Sequence, residues 1–139
     1  MRFHPALGFF GIVSAALFSP AVRADTLRAA WVASVYNLNF PSRPGLTVGL
    51  QQAQIVSIVG AAERAGLNAL MVQVRPEGDA LYNSHLEPWS RYLTGSQGTA
   101  PGYDPLGTFI QEGKRHGIAI HAWINPYRAA ADATALLAA

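Results

Sequence analysis

The sequence predicts an α/β fold with parallel strands, in the order strand–helix–strand–helix–strand. Three observations predict it. Short apolar runs, Leu27–Val35, Leu67–Val74 and Ile118–Ile124, alternate with two stretches of helical spacing. Arg64-Ala65-Gly66-Leu67 and Arg115-His116-Gly117-Ile118 repeat one pattern of helix end, glycine and strand start. The long connections follow strands and the short ones follow helices. Parallel α/β proteins build their sites from loops at the carboxyl ends of the strands, so this asymmetry marks the functional face.

Taken in order, the chain opens with a segment that reads as a secretory signal. Arg2 precedes an uncharged apolar run from Ala6 to Phe18, and Val22-Arg23-Ala24 offers a cleavage site before Asp25. The run is shorter than the roughly 20 residues of a membrane span; an N-terminal anchor or a buried helix is the other reading. The expected organisation is a signal peptide over 1–24 and a domain over 25–139, with no stable membrane insertion once the signal is cleaved. Leu27–Val35 is mostly apolar on both faces, as a covered parallel strand is. A loop over 36–45 follows, and Thr47 is the expected N-cap of a helix to about Ala65. Gln52, Ile55, Val59 and Ala62 lie at helical spacing there, with Ile58 beside them, and Gly66 closes the helix as a left-handed residue.

The second strand runs out into a long polar loop that ends at Asp104-Pro105, an N-cap followed by a first-turn proline. The helix this pair starts runs to about His116 and buries Leu106, Phe109 and Ile110. Gly107 and Gly113 each weaken it by about 1 kcal/mol relative to alanine, so it needs tertiary support. Gly117 closes it. Arg128 begins another strand-to-helix loop, and the alanine-rich stretch Ala129–Ala139 suits the start of a third helix. Three strands make neither a closed barrel nor a covered open sheet, so the expectation is the first third to half of a larger domain.

Half of the residues are hydrophobic and 13% are charged, a globular composition. Ten basic residues face eight acidic ones, and two of the basic ones, Arg2 and Arg23, fall in the signal segment. The remainder is neutral, which argues against nucleic acid and anionic membrane surfaces as partners. The absence of cysteine excludes disulfides, thiolate metal sites and a cysteine nucleophile. No phosphate loop, nucleophile elbow or zinc spacing is present, and neither cofactor nor metal is expected.

Chemistry concentrates after the second strand. Gln73 and Arg75 climb one face toward the loop, and Glu77, Asp79, Tyr82, His85, Glu87, Trp89, Arg91 and Tyr92 follow. Aromatic and charged residues alternate as they do around a ligand, although a solvated loop held by salt bridges has the same composition. On the third strand Ala119, His121 and Trp123 share a face that Asn125 continues. With Tyr127 and Arg128 they suit a sugar, the rings stacking on its C–H surface and the polar tips meeting its hydroxyls. His121 is equally well read as a hydrogen-bonded core residue. Glu77 and Asp79 are the closest acidic pair, about 6.6 Å apart along an extended chain. Glycoside hydrolysis needs two carboxyls about 5–5.5 Å or about 6.5–9.5 Å apart, so the pair is a catalytic candidate. A salt bridge to Arg75 or Arg91, or hydrogen bonds that order the loop, is the competing explanation.

Four motifs in order carry a resemblance that spans about Leu27 to Arg128. They are Gln-Val-Arg-Pro-Glu-Gly-Asp-Ala-Leu-Tyr (73–82), Glu-Pro-Trp-Ser-Arg-Tyr-Leu-Thr-Gly (87–95), Gly-Tyr-Asp-Pro-Leu (102–106) and His-Ala-Trp-Ile-Asn-Pro-Tyr-Arg (121–128). The sequence resembles the bacterial glycosyl-hydrolase-like family ten, formerly a domain of unknown function. The resemblance implies a (β/α)8 barrel of which this chain is the N-terminal part, about three βα units. It also implies export to the bacterial periplasm or beyond, and hydrolysis of O-glycosidic bonds in a polysaccharide, with cell-wall glycan as the substrate class. Carried across, it implies that Arg75, Glu77, Asp79, Trp89, Tyr92, His121, Trp123, Asn125, Tyr127 and Arg128 line a sugar cleft. Asn39-Phe40-Pro41 stands where the family tends to have an Asp-Trp-Pro-like turn. The family's acidic motif near the end of the fourth strand would lie beyond Ala139, so the resemblance leaves the acid and nucleophile outside this chain.

Overall fold

A computed structural model describes residues 26–131. The expected signal segment and the stretch from 132 onward lie outside the described residues. Three strands, β1 (Ala29–Val32), β2 (Ala69–Arg75) and β3 (Ala119–Ile124), form one parallel sheet in the order β1-β2-β3. Helix α1 (Val48–Arg64) connects the first two. A single-turn helix α2 (Arg91–Thr94) and helix α3 (Pro105–Arg115) lie between the second and third. Among the described residues no helix is long and apolar enough to cross a membrane.

Local chemistry sets most of these limits. The Thr47 side chain accepts the Leu50 N–H at 3.3 Å and starts α1; the Asp104 side chain accepts the Gly107 N–H at 3.0 Å and starts α3. Gly66 and Gly117 follow the two helices at φ +70° and +65°, the left-handed turn anticipated at both. Gly113 has a second reason to be glycine. A Cβ there would stand 2.5 Å from the Ile118 carbonyl oxygen, so α3 lies directly on the start of β3.

The core sits between one sheet face and the two long helices. Val32, Leu70, Val72 and Val74 meet Ile55, Val59 and Ala62 of α1 and Phe109 of α3. Phe40, from the loop after β1, joins them with its ring edge-on to Phe109 at 5.1 Å.

Several expectations are corrected. The first strand ends at Val32 rather than Val35, because Ser34 and Val35 turn their amides onto a side chain and Val35–Asn37 coil into a 3-10 turn. The buried glutamine of α1 is Gln51, not the exposed Gln52. Its Nε2 donates to the Leu46 and Leu93 carbonyls, and its Oε1 accepts the Tyr103 hydroxyl at 2.9 Å. Ile110 points to solvent, while Glu112 and Gly113 are buried in its place. Residues 129–131 are not helical.

Candidate active-site face

The carboxyl ends of the strands meet around three side chains of β2 and its loop. Gln73 is fully buried: its Oε1 accepts the Ser34 and Val35 amides, each at 3.0 Å, and the Ser34 hydroxyl donates to its carbonyl at 2.9 Å. One glutamine thus ends β1 and fixes the departure of its loop. Asn39, in the variant turn, accepts the Ala33 N–H through Oδ1 at 2.9 Å. A carboxylate is not needed for that bond.

Glu77 is 5% exposed, and its Oε1 gathers three donors. The Tyr92 hydroxyl and the Ala131 N–H each lie at 2.7 Å, and Arg91 Nη2 lies at 3.1 Å. Burial and the bond to Glu77 push the Tyr92 phenol up to about 12. Burial alone would lower the Arg91 guanidinium, but the Tyr92 hydroxyl and the Glu77 charge raise it. Asp79 is buried two residues on, and its Oδ1 accepts the Glu77 N–H at 3.0 Å. Its carboxyl is held above the ordinary 3.8, chiefly by burial, against the Ser90 side chain and the Glu77 amide, which favour the anion. Oδ2 is buried without a well-formed hydrogen bond.

Of the two salt-bridge partners weighed for the acidic pair, Arg91 is the one that binds Glu77; Arg75 pairs with Glu87 instead. The strand alternation is broken by a register shift, Gln73 pairing with Trp123 but Arg75 with Ile124. Arg75 and Asn125 still meet, through the backbone: the Asn125 N–H donates to the Arg75 carbonyl at 3.0 Å. The Asn125 side chain donates to the Pro76 carbonyl at 3.3 Å and accepts the Trp123 indole N–H at 2.9 Å. Tyr127, 98% exposed, and Arg128 project into solvent beyond. His121 is exposed on the open sheet face rather than in the core. Trp89 packs against the core, and Tyr92 is buried.

Two open concavities occupy this end. One of about 320 Å³ is lined by Tyr36, Asn37, Pro44, Arg91, Tyr92 and Gly95, and one of about 560 Å³ by Asn125, Pro126, Tyr127, Arg128, Ala129 and Ala130. A third, of about 440 Å³, lies between β1 and α1 against Ile58, Ala62 and Leu70; its wall is apolar apart from Asn39.

Three residues here escape a reading by composition. Trp31 is 65% exposed on the sheet face away from the helices, and its ring meets that of Trp123 edge-on at 4.9 Å. β1 and β3 are not neighbours, so this pair crosses over β2. In the sequence Trp31 looks like one more apolar strand residue. Tyr36 and Asn37, both with φ of 54°, are non-glycine residues in the left-handed region, which asparagine tolerates but which nothing in the sequence signals for Tyr36. Among the described residues no group of three or more His, Asp or Glu side chains could hold a metal ion.

The class so defined is a parallel α/β protein whose polar and aromatic side chains gather where its strands end. Within that class the chain belongs to the glycosyl hydrolase-like 10 family, whose model matches residues 26–137. It is 43% identical over 117 residues to glycosyl hydrolase YngK of Bacillus subtilis (strain 168), covering 84% of this chain and 23% of the relative. It is 37% identical over 112 residues to glycosyl hydrolase DigH of Escherichia coli (strain K12), covering 76% of this chain and 26% of that one. The chain therefore spans about a quarter of the length of these relatives.

Proposed function

We propose that this chain forms one wall of the sugar-binding cleft of an exported glycoside hydrolase acting on O-glycosidic bonds of bacterial cell-wall glycan. The fold it contributes to is a (β/α)8 barrel, of which β1, α1, β2, α3 and β3 are the opening units. The observation that carries the reading is the convergence at the strand carboxyl ends. Arg75 and Asn125 lie together at this end, joined by the Asn125–Arg75 backbone bond and the Asn125–Pro76 bond, while Asp79 is buried in the same loop and accepts the Glu77 N–H. Trp123, with its N–H fixed by Asn125, offers a ring for the apolar face of a sugar. Tyr127 and Arg128 offer exposed polar tips.

Calorimetric titration with a soluble peptidoglycan glycan oligosaccharide, alongside an assay for new reducing ends, tests this. Binding is expected, with Trp123→Ala weakening it about tenfold through the lost stacking surface. Undetectable binding contradicts the cleft; a full-length protein that binds without releasing reducing ends favours a non-catalytic carbohydrate-binding module on the same scaffold.

A further inference from the structure

Ala131 is held from both sides. Its N–H donates to Glu77 Oε1 at 2.7 Å, and its carbonyl accepts the Tyr36 hydroxyl at 2.9 Å. The Gly78 N–H donates to the Ala129 carbonyl at 3.3 Å, so the loop after β2 grips the segment after β3 twice. The loop after β1 grips it through Tyr36. That residue is in the left-handed region at φ 54° and ψ 19°, a conformation that costs a non-glycine residue energy and persists only where the surroundings enforce it. The enforcement is visible next door. Asn37 donates through Nδ2 to the Pro41 and Tyr92 carbonyls, both at 2.9 Å, and the Tyr36 and Tyr92 rings meet edge-on at 6.4 Å.

We propose that Tyr36 and Glu77 are positioning residues that clamp the backbone of Ala131 and so set where Tyr127 and Arg128 meet a sugar. This rests on the carbohydrate-cleft reading above. Three donors on one oxygen make Glu77 the anchor of the clamp rather than a proton carrier. Tyr36 and the Glu77 partners Arg91 and Tyr92 line one concavity, and the clamped segment lines the other. The clamp joins the two halves of the mouth, and all three strand-end loops contribute to it.

A double-mutant cycle on the 139-residue chain tests the proposal, read as affinity for a soluble peptidoglycan glycan oligosaccharide. Tyr36→Phe removes one hydroxyl and is expected to weaken binding about three- to tenfold. Arg128→Ala is expected to weaken it further, and the double variant to bind no worse than Arg128→Ala alone, because Tyr36 acts through the segment that carries Arg128. Additive losses, or no loss in Tyr36→Phe, overturn the proposal. Glu77→Gln keeps the acceptor and is expected to stay within about threefold of wild type, whereas Glu77→Ala loses about tenfold or more. Equal losses in the two assign Glu77 a role through its charge and overturn the clamp. If the wild-type chain binds no glycan, the cleft reading fails, and amide hydrogen exchange then decides the clamp separately. An Ala131 N–H protected in wild type and released in Glu77→Ala supports it; one unprotected in wild type overturns it.

Discussion

Asp79 shows at the scale of one residue how burial and hydrogen bonding compete. Its folded carboxyl binds a proton more tightly than the unfolded one, so its contribution to stability is fully present below the ordinary 3.8 and is lost as pH rises through the folded value. Urea unfolding of Asp79→Asn followed from about pH 4 upward is therefore expected to show a shallower fall than wild type. The asparagine carbonyl can still accept the Glu77 amide, so that variant should be at least as stable near neutrality. Asp79→Ala should instead cost about 1–3 kcal/mol, because it leaves a buried N–H without a partner. Gln73 makes the same point without charge. Gln73→Ala strands the Ser34 and Val35 amides and should cost about 3 kcal/mol in the same measurement.

At the scale of an element, α3 depends on what it omits. Helix propensity favours alanine over glycine by about 1 kcal/mol. At position 113 the added methyl would meet the Ile118 oxygen at 2.5 Å and Ile120 Cγ1 at 2.8 Å, and neither the strand nor the core can yield cheaply. Gly113→Ala is therefore expected to destabilise by about 2 kcal/mol or more, as overpacking does. Denaturation midpoints check the sign, since a stabilised variant would mean that α3 stands off the sheet. The helices were legible in the sequence because their start and stop chemistry is local, Thr47 and Asp104 at one end and Gly66 and Gly117 at the other. The end of β1 was not legible, because it is fixed by a glutamine 39 positions away. Neither was α2, a single turn whose Ser90 cap and left-handed Gly95 lie inside a loop with no apolar period.

For the whole molecule, the asymmetry of loop lengths correctly gave a parallel sheet and set its carboxyl edge as the place to look. Which side chains face that edge was only partly legible. Alternation is a strand rule, and it ends at the register shift opposite Arg75; beyond it Glu77 and Asp79 turn inward to hold loops rather than outward to meet ligand. Tyr36 reaches its role through a backbone conformation that no residue pattern announces. The proposal requires that the loops leaving three parallel strands form one carbohydrate-binding mouth. Amide chemical-shift mapping of the labelled chain, titrated with a soluble peptidoglycan glycan oligosaccharide, decides whether they do. Saturable shifts are predicted at Tyr36, Arg75, Arg91, Asn125 and Tyr127 to Ala131, with Gly66, His116 and Gly117 unmoved. Shifts confined to that opposite end, or to the apolar depression between β1 and α1, would contradict it.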